Sequence, residues 1–216
     1  MMKLSLAKKE PGPIHILCLG AHSDDIEIGC GGTLLHLKKT HRDLRFHWVV
    51  FCASGTRAHE AEKAADAFTA GCEREVSLKD YRDGFLPYIG VEVKDFFEEL
   101  KGRVNPDLIF THRGGDAHQD HRLISELTWN TFRNHLIFEY EIPKYDGDLG
   151  QPNVFSPLEA EMYQTKIRYI MNAFQSQQSK PWFQEDTFLS LMRLRGMECN
   201  APSSYAEAFY CRKLVL

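Results

Sequence analysis

The sequence predicts an α/β protein, a mostly parallel sheet with helices on both faces and a less regular C-terminal extension. Three observations carry this. Short apolar or β-branched runs alternate with helix-like segments through the first two-thirds of the 216 residues. The intervening segments run to about 10–15 residues, the length that a parallel crossover needs. No internal repeat, low-complexity stretch or linker interrupts the pattern, so one domain over 1–216 is expected, with 1–13 a flexible N-terminal segment.

The elements follow in order. IHILCLG (14–20) is a compact apolar run and reads as the first strand. The segment 28–40 becomes helical from about Gly32, with basic residues near its end. LRFHWVVFCA (44–53) is β-branched and aromatic, a second strand. SGT (54–56) is a turn with a capping residue, and the Ala- and Glu-rich stretch 57–72 is a helix closed by Gly71. EREVSL (73–78) is a weak third strand, and 90–104 an amphipathic helix. PDLIFTH (106–112) is a fourth strand, 120–134 a helix and HLIFEYEI (135–142) a fifth strand. The Pro-, Gly- and Asp-rich stretch 143–157 reads as a long loop with a short strand at 153–155. Helices are expected at 158–174 and 186–196, and 203–216 closes the chain.

Composition narrows the functional classes. With 43% hydrophobic and 12% aromatic residues the chain can bury a core. A net charge of −4 gives no overall pull toward nucleic acid or anionic membrane, so no nucleic-acid partner is expected. MMKLSLAKKEPGP lacks an apolar h-region, and no apolar run approaches ~18 residues, so neither a signal peptide nor a transmembrane segment is expected. Six cysteines (18, 30, 52, 72, 199, 211) are scattered without a C-x-x-C, which reads as a reduced, cytoplasmic protein. Apolar segments near the C-terminus leave a homo-oligomer open.

In open α/β sheets, ligands collect beyond the carboxyl ends of the strands. AHSDD (21–25) follows the first strand and HRGGDAHQDH (112–121) follows the fourth. If the strands are parallel, the two most His- and Asp-dense stretches face one crevice. AHSDD alone reads either as a helix cap with a first-turn acid pair or as a metal-ligand set with His22 and Asp25 on one side of a turn and Asp24 free for proton transfer. HQDH alone reads either as a polar loop with Asp120 capping the next helix or as further ligands, His118 and His121. Together they favour a metal site. His112 ends the fourth strand and is expected to line the crevice. Arg57 and Glu60 open the helix after the second strand, where their plain reading is an intrahelical ion pair. His15, His36, His41, His47, His59 and His135 read as structural or surface residues. GCGGTL (29–34) fails the dinucleotide pattern, and there is no phosphate loop, nucleophile elbow or H-E-x-x-H.

These stretches resemble a known family. AHSDD is similar to the A-H-P-D-D motif of the PIG-L/LmbE-type zinc-dependent N-acetylglucosaminyl deacetylases. HQDH resembles their H-x-D-H, RAHEAEKAA (57–65) their R-x-x-E segment, and YAEAF (205–209) a closing motif. The resemblance runs in order from about residue 14 to 210. It implies a Rossmann-like sheet and hydrolysis of an N-acetyl or other N-acyl group from an amino sugar or its conjugate. It further implies Zn²⁺, or another divalent metal in its place, on His22, Asp25 and His121, with Asp24 as general base. His118 would assist the tetrahedral intermediate, Asp120 would orient a histidine, and Arg57 would contact substrate. Ser23 stands where many members have Pro, which softens that loop without removing a ligand. The loop at 143–157, with Tyr145 and Asp146, is the expected place for substrate selection. Two other readings use the same residues: an amidase cleaving a thiol-conjugated amino sugar, and a non-catalytic sugar- or nucleotide-binding protein.

Overall fold

The computed structural model describes residues 5–6 and 11–215; most of the N-terminal segment 1–13, expected to be flexible, falls outside them. The strands are β1 Ile14–His22, β2 Leu44–Cys52, β3 Glu73–Leu78, β4 Leu108–His112, β5 Leu136–Tyr140, β6 Val154–Pro157 and β7 Ala206–Tyr210. The helices are α1 Asp25–Thr40, α2 Gly55–Thr69, α3 Gly90–Arg103, α4 Gln119–Thr131, α5 Ala160–Ala173 and α6 Glu185–Glu198. Short 3₁₀ turns lie at Leu86–Ile89 and Gln175–Gln177.

The strands form one sheet in the order β3-β2-β1-β4-β5-β7-β6. The first five are parallel, as the sequence predicts. The extension adds β7 antiparallel to β5, and β6 antiparallel to β7. Period-two alternation divides the core between two faces. Ile16, Cys18, Phe46, Trp48, Leu108 and Phe110 point toward the layer that holds α1, α2, α5 and α6. Leu17, Leu19, Val49, Phe51 and Ile109 point toward α3 and α4. No helix among the described residues is long and apolar enough to cross a membrane.

One expectation is corrected. The sequence predicts that 28–40 becomes helical only from about Gly32, yet α1 begins at Asp25 and runs through the glycine-rich stretch. Propensity disfavours glycine in a helix, but tertiary packing decides here. A Cβ on Gly29 would meet the Tyr140 ring at 2.2 Å, and one on Gly32 would meet Leu158 at 2.5 Å. The glycines let α1 lie close to the sheet and to the extension. The start of α1 is thereby held at the carboxyl end of β1.

Candidate active site

β1 sits between β2 and β4, with His22 opposite Cys52 and Cys18 opposite Phe110. The segments that follow β1, β2, β3 and β4 therefore leave the sheet at one edge. There the structure gathers His22, Asp24 and Asp25 from the β1–α1 junction with His118, Asp120 and His121 at the start of α4. Arg57 from α2 and Asp83 from the segment after β3 join them.

Three donor atoms form a tight triangle. His22 Nδ1 lies 3.1 Å from His121 Nε2 and 3.3 Å from Asp25 Oδ2, and Asp25 Oδ2 lies 3.6 Å from His121 Nε2. Ligands at ~2.0–2.2 Å from a tetrahedral zinc stand about 3.4 Å apart, so the set fits such an ion. His118 also groups with His22 and His121 as a set able to hold a metal. Around the triangle, other groups fix its members. Asp120 Oδ2 is 3.4 Å from His22 Nε2 and Asp83 Oδ1 is 3.0 Å from it. Asp120 is anchored in turn by the backbone N–H groups of Gly84 at 2.7 Å and Leu86 at 3.1 Å. Asp116 Oδ2 lies 3.0 Å from His121 Nδ1 and accepts from Lys144 Nζ at 2.9 Å.

Asp24 and Asp25 are adjacent but differently placed. Asp25 Oδ2 accepts the His22 backbone N–H at 2.6 Å and lies among three imidazoles. Asp24 Oδ1 accepts from Arg57 Nη2 at 2.8 Å, whereas its Oδ2 is buried without a hydrogen-bond partner. Burial pushes the Asp24 carboxyl up, against the opposing Arg57 charge, and the Asp25 charge adds to the rise. Burial would also raise Asp25, but the charges of His121, His112 and His22 outweigh it and hold Asp25 well below the carboxylate range. For His22, burial opposes protonation. The Asp25 charge and the bonds to Asp120, Asp25 and Asp83 overcome it, and the imidazole is held well above its ordinary value. His118 is pushed down, by burial first and then by the charges of His121 and His22. Its Nδ1 accepts the Asp120 backbone N–H at 3.3 Å, which leaves Nε2 of the neutral ring to carry the hydrogen.

His112 does not line the crevice, and that expectation is corrected. It ends a central strand and has no exposed surface. Its Nε2 accepts the Ala21 N–H at 2.9 Å, 3.1 Å from Asp25 Oδ2, and its ring stacks on His121 with centroids 3.9 Å apart. It braces the site from behind. Tyr145 and Asp146 stand exposed on the loop after β5. That loop is tied to the site by their neighbours: Lys144 binds Asp116, and Asp148 Oδ2 accepts the Ala117 N–H at 2.6 Å. Asp83, Asp116 and Lys144 escaped the sequence reading. The sheet-edge rule held a signal for Asp83, which follows β3, and Asp116 lies within the stretch quoted for HQDH.

Comparisons with known proteins bear on the family and the fold. A family model described as GlcNAc-PI de-N-acetylase (PIG-L) matches residues 17–132. An Escherichia coli (strain K12) protein described as uncharacterized deacetylase YaiS is 27% identical over 173 residues, 76% of this chain and 91% of that one. Among solved structures, N,N'-diacetylchitobiose deacetylase of Pyrococcus horikoshii superposes with a TM-score of 0.66 at 19% identity, covering 91% of this chain and 83% of the other. GalB, a 4-carboxy-2-hydroxymuconate hydratase of Pseudomonas putida, superposes with a TM-score of 0.71 at 17% identity, covering 94% and 98%. At such identities the likeness establishes the fold, and the deacetylase and the hydratase share it.

Proposed function

The chain belongs to the PIG-L family of GlcNAc-PI de-N-acetylases, and from this premise we propose that it is a metal-dependent deacetylase that removes the N-acetyl group of an amino sugar or amino-sugar conjugate. The observation that carries the reading is the triangle of His22 Nδ1, Asp25 Oδ2 and His121 Nε2 at 3.1–3.6 Å, beside a buried carboxylate oxygen without a partner.

His22, Asp25 and His121 are the ligands, and zinc is the ion their nitrogen and oxygen donors suit. When bound, the ion supplies Lewis-acid polarisation of the acyl oxygen and a water of lowered pKa. Asp24 Oδ2 takes the proton of the attacking water, because Oδ1 is already held by Arg57. His118 meets the developing oxyanion with its Nε2–H, as a neutral donor. The proton on Asp24 then passes to the departing amine. Asp120 and Asp83 hold His22, and Asp116 holds His121, with the ligating nitrogens facing the ion. Tyr145 and Asp146 are the substrate-facing groups of the loop after β5, and Arg57 offers its remaining N–H groups at the rim. The six cysteines are free, which suits a reducing cytoplasm.

The test is release of primary amine and acetate from N-acetylglucosamine and N,N'-diacetylchitobiose by protein loaded with Zn²⁺, against the same protein after chelation. Turnover abolished by chelator and restored by zinc is expected. Hydration of an unsaturated acid by the loaded protein, with no amine released from any acetylated sugar, would sink the proposal.

A further inference from the structure

Arg57 and Glu60 look in the sequence like an ordinary intrahelical pair, but Glu60 is not a surface carboxylate. It is 7% exposed, and its ties reach 116 residues along the chain. Oε1 accepts the Ser176 backbone N–H at 2.8 Å and Oε2 accepts the Ser176 Oγ hydrogen at 2.6 Å. Only then does Oε2 meet Arg57 Nη1, at 3.5 Å. The same 174–177 segment places the Phe174 ring 5.7 Å from the Arg57 guanidinium carbon, and Gln177 Nε2 donates to Ser176 Oγ at 2.9 Å. A buried carboxylate is costly unless hydrogen-bonded. One long contact to Arg57 does not suffice, and Ser176 completes the set. Arg57 is a long side chain with much freedom to lose. Here it is confined by Glu60 on one side and by Phe174 on another, while its Nη2 points to Asp24 Oδ1.

We propose that Glu60 and Ser176 are positioning residues for Asp24: through Arg57 they set which carboxylate oxygen is tied and which faces the attacking water. The proposal rests on the deacetylase reading for the role of Asp24, but the mechanical link stands on these contacts alone. A general base must lie within hydrogen-bond reach of the proton it takes, and a misplacement of ~1 Å costs on the order of 100-fold. Ser176 touches neither Asp24 nor the metal-ligand triangle in any described bond, so an effect of Ser176 on turnover has to travel through Glu60 and Arg57.

Glu60→Gln and Ser176→Ala are compared with the natural chain in two assays. In ¹⁵N NMR, the Arg57 guanidinium of the natural protein gives separate Nη resonances, and both variants merge them while the remaining backbone spectrum is unchanged. In amine-release kinetics with N,N'-diacetylchitobiose, both variants lower kcat by about 10- to 100-fold, with KM and zinc content unchanged. Ser176→Thr, which keeps the hydroxyl, restores both readouts. In an Asp24→Asn background, Ser176→Ala has no further effect on kcat. Separate Nη resonances surviving in both variants would overturn the proposal. So would a rise in KM with kcat unchanged, which leaves Arg57 a substrate contact with no hold on Asp24, or a loss that multiplies with Asp24→Asn, which makes Ser176 merely structural. If the natural protein deacetylates no sugar, the deacetylase reading falls, and the NMR comparison still decides whether Ser176 controls Arg57.

Discussion

Helix α1 carries two buried charged clusters, and they are built in opposite ways. Midway along it, Lys166 Nζ donates to Ile28 O at 2.6 Å and to Glu207 Oε1 at 2.6 Å, and Glu207 accepts the N–H groups of Gly32 at 2.8 Å and Thr33 at 2.6 Å. Opposite charges balance, and both carboxylate oxygens and the ammonium have partners. At the N-terminus of the same helix, Asp25 is crowded by imidazoles, Asp24 Oδ2 has no partner, and both Glu27 oxygens lack one. Burial pushes the Glu27 carboxyl well above its ordinary value. A fold satisfies its buried charges where they hold the structure together, and leaves them unsatisfied where something else has to bind. The contrast predicts that the two clusters answer to different measurements.

The largest effect is expected at Asp24. Asp24→Asn keeps shape and the Arg57 contact but removes the proton acceptor. Its kcat for amine release falls by about 10²- to 10⁴-fold, with Tm unchanged or raised because a buried carboxylate is gone. A Tm collapse without a kinetic loss would reverse the assignment. Next comes Lys166→Met. It strands the Glu207 carboxylate, so stability falls by about 3–5 kcal/mol in urea denaturation, while kcat per folded molecule stays within about twofold. If instead stability holds and kcat falls by an order of magnitude or more, the two clusters are not separable in this way.

Asp116→Asn tests the support of a ligand. Its Oδ2 faces His121 Nδ1, and loss of that charge is expected to weaken zinc about 10- to 100-fold in competition titrations. Proton release is a smaller effect of the same origin. Burial opposes protonation of His22, but the Asp25 charge and the bonds to Asp120, Asp25 and Asp83 hold its imidazole well above the ordinary value. A ligating nitrogen has to be free of its proton, so metal binding and protonation of His22 compete. Calorimetry in buffers of different ionisation enthalpy should find protons released on zinc binding, and apparent affinity rising with pH. Asp83→Asn removes one contact that stabilises the charged ring, and reduces the number released. Affinity flat from pH 6 to 8 would mean that His22 binds without titrating.

How much of this was legible depended on whether the relevant partners were close in sequence. The strands and the AHSDD and HQDH sets are local patterns, and parallel pairing alone brings the two motifs to one edge. Asp83 and Asp116 are single acids in polar loops, and only tertiary structure sets them against His22 and His121. The start of α1 at Asp25 depends on tertiary structure in the same way. Gly29 and Gly32 argue against a helix until Tyr140, Leu158 and Glu207 are packed on them. His112 is hidden from the crevice because the end of a central strand is buried by its neighbours, which the sequence of that strand does not record. β7 is five residues whose place between β5 and β6 depends on a return of more than 60 residues.

The smallest predicted effect probes whether a third buried cluster, which ties the C-terminal extension to the segment after β5, is redundant as well as satisfied. Tyr210 donates from its hydroxyl to Glu141 Oε1 at 2.8 Å. Glu141 also binds Arg195 through Nη2 and Nε, each at 2.9 Å, and accepts the Gly150 N–H at 3.2 Å. Tyr210→Phe removes donor and acceptor capacity together and leaves Glu141 paired. The expected loss is therefore only about 0.5–1.5 kcal/mol, read from the urea midpoint, with kcat and zinc affinity unchanged. A loss as large as that of Lys166→Met would mean that the extension is held by single indispensable contacts. A small loss means that redundancy divides the two regions: Glu141 keeps its charge partner when one bond is removed, whereas Asp24 Oδ2 has no second group to take over its task.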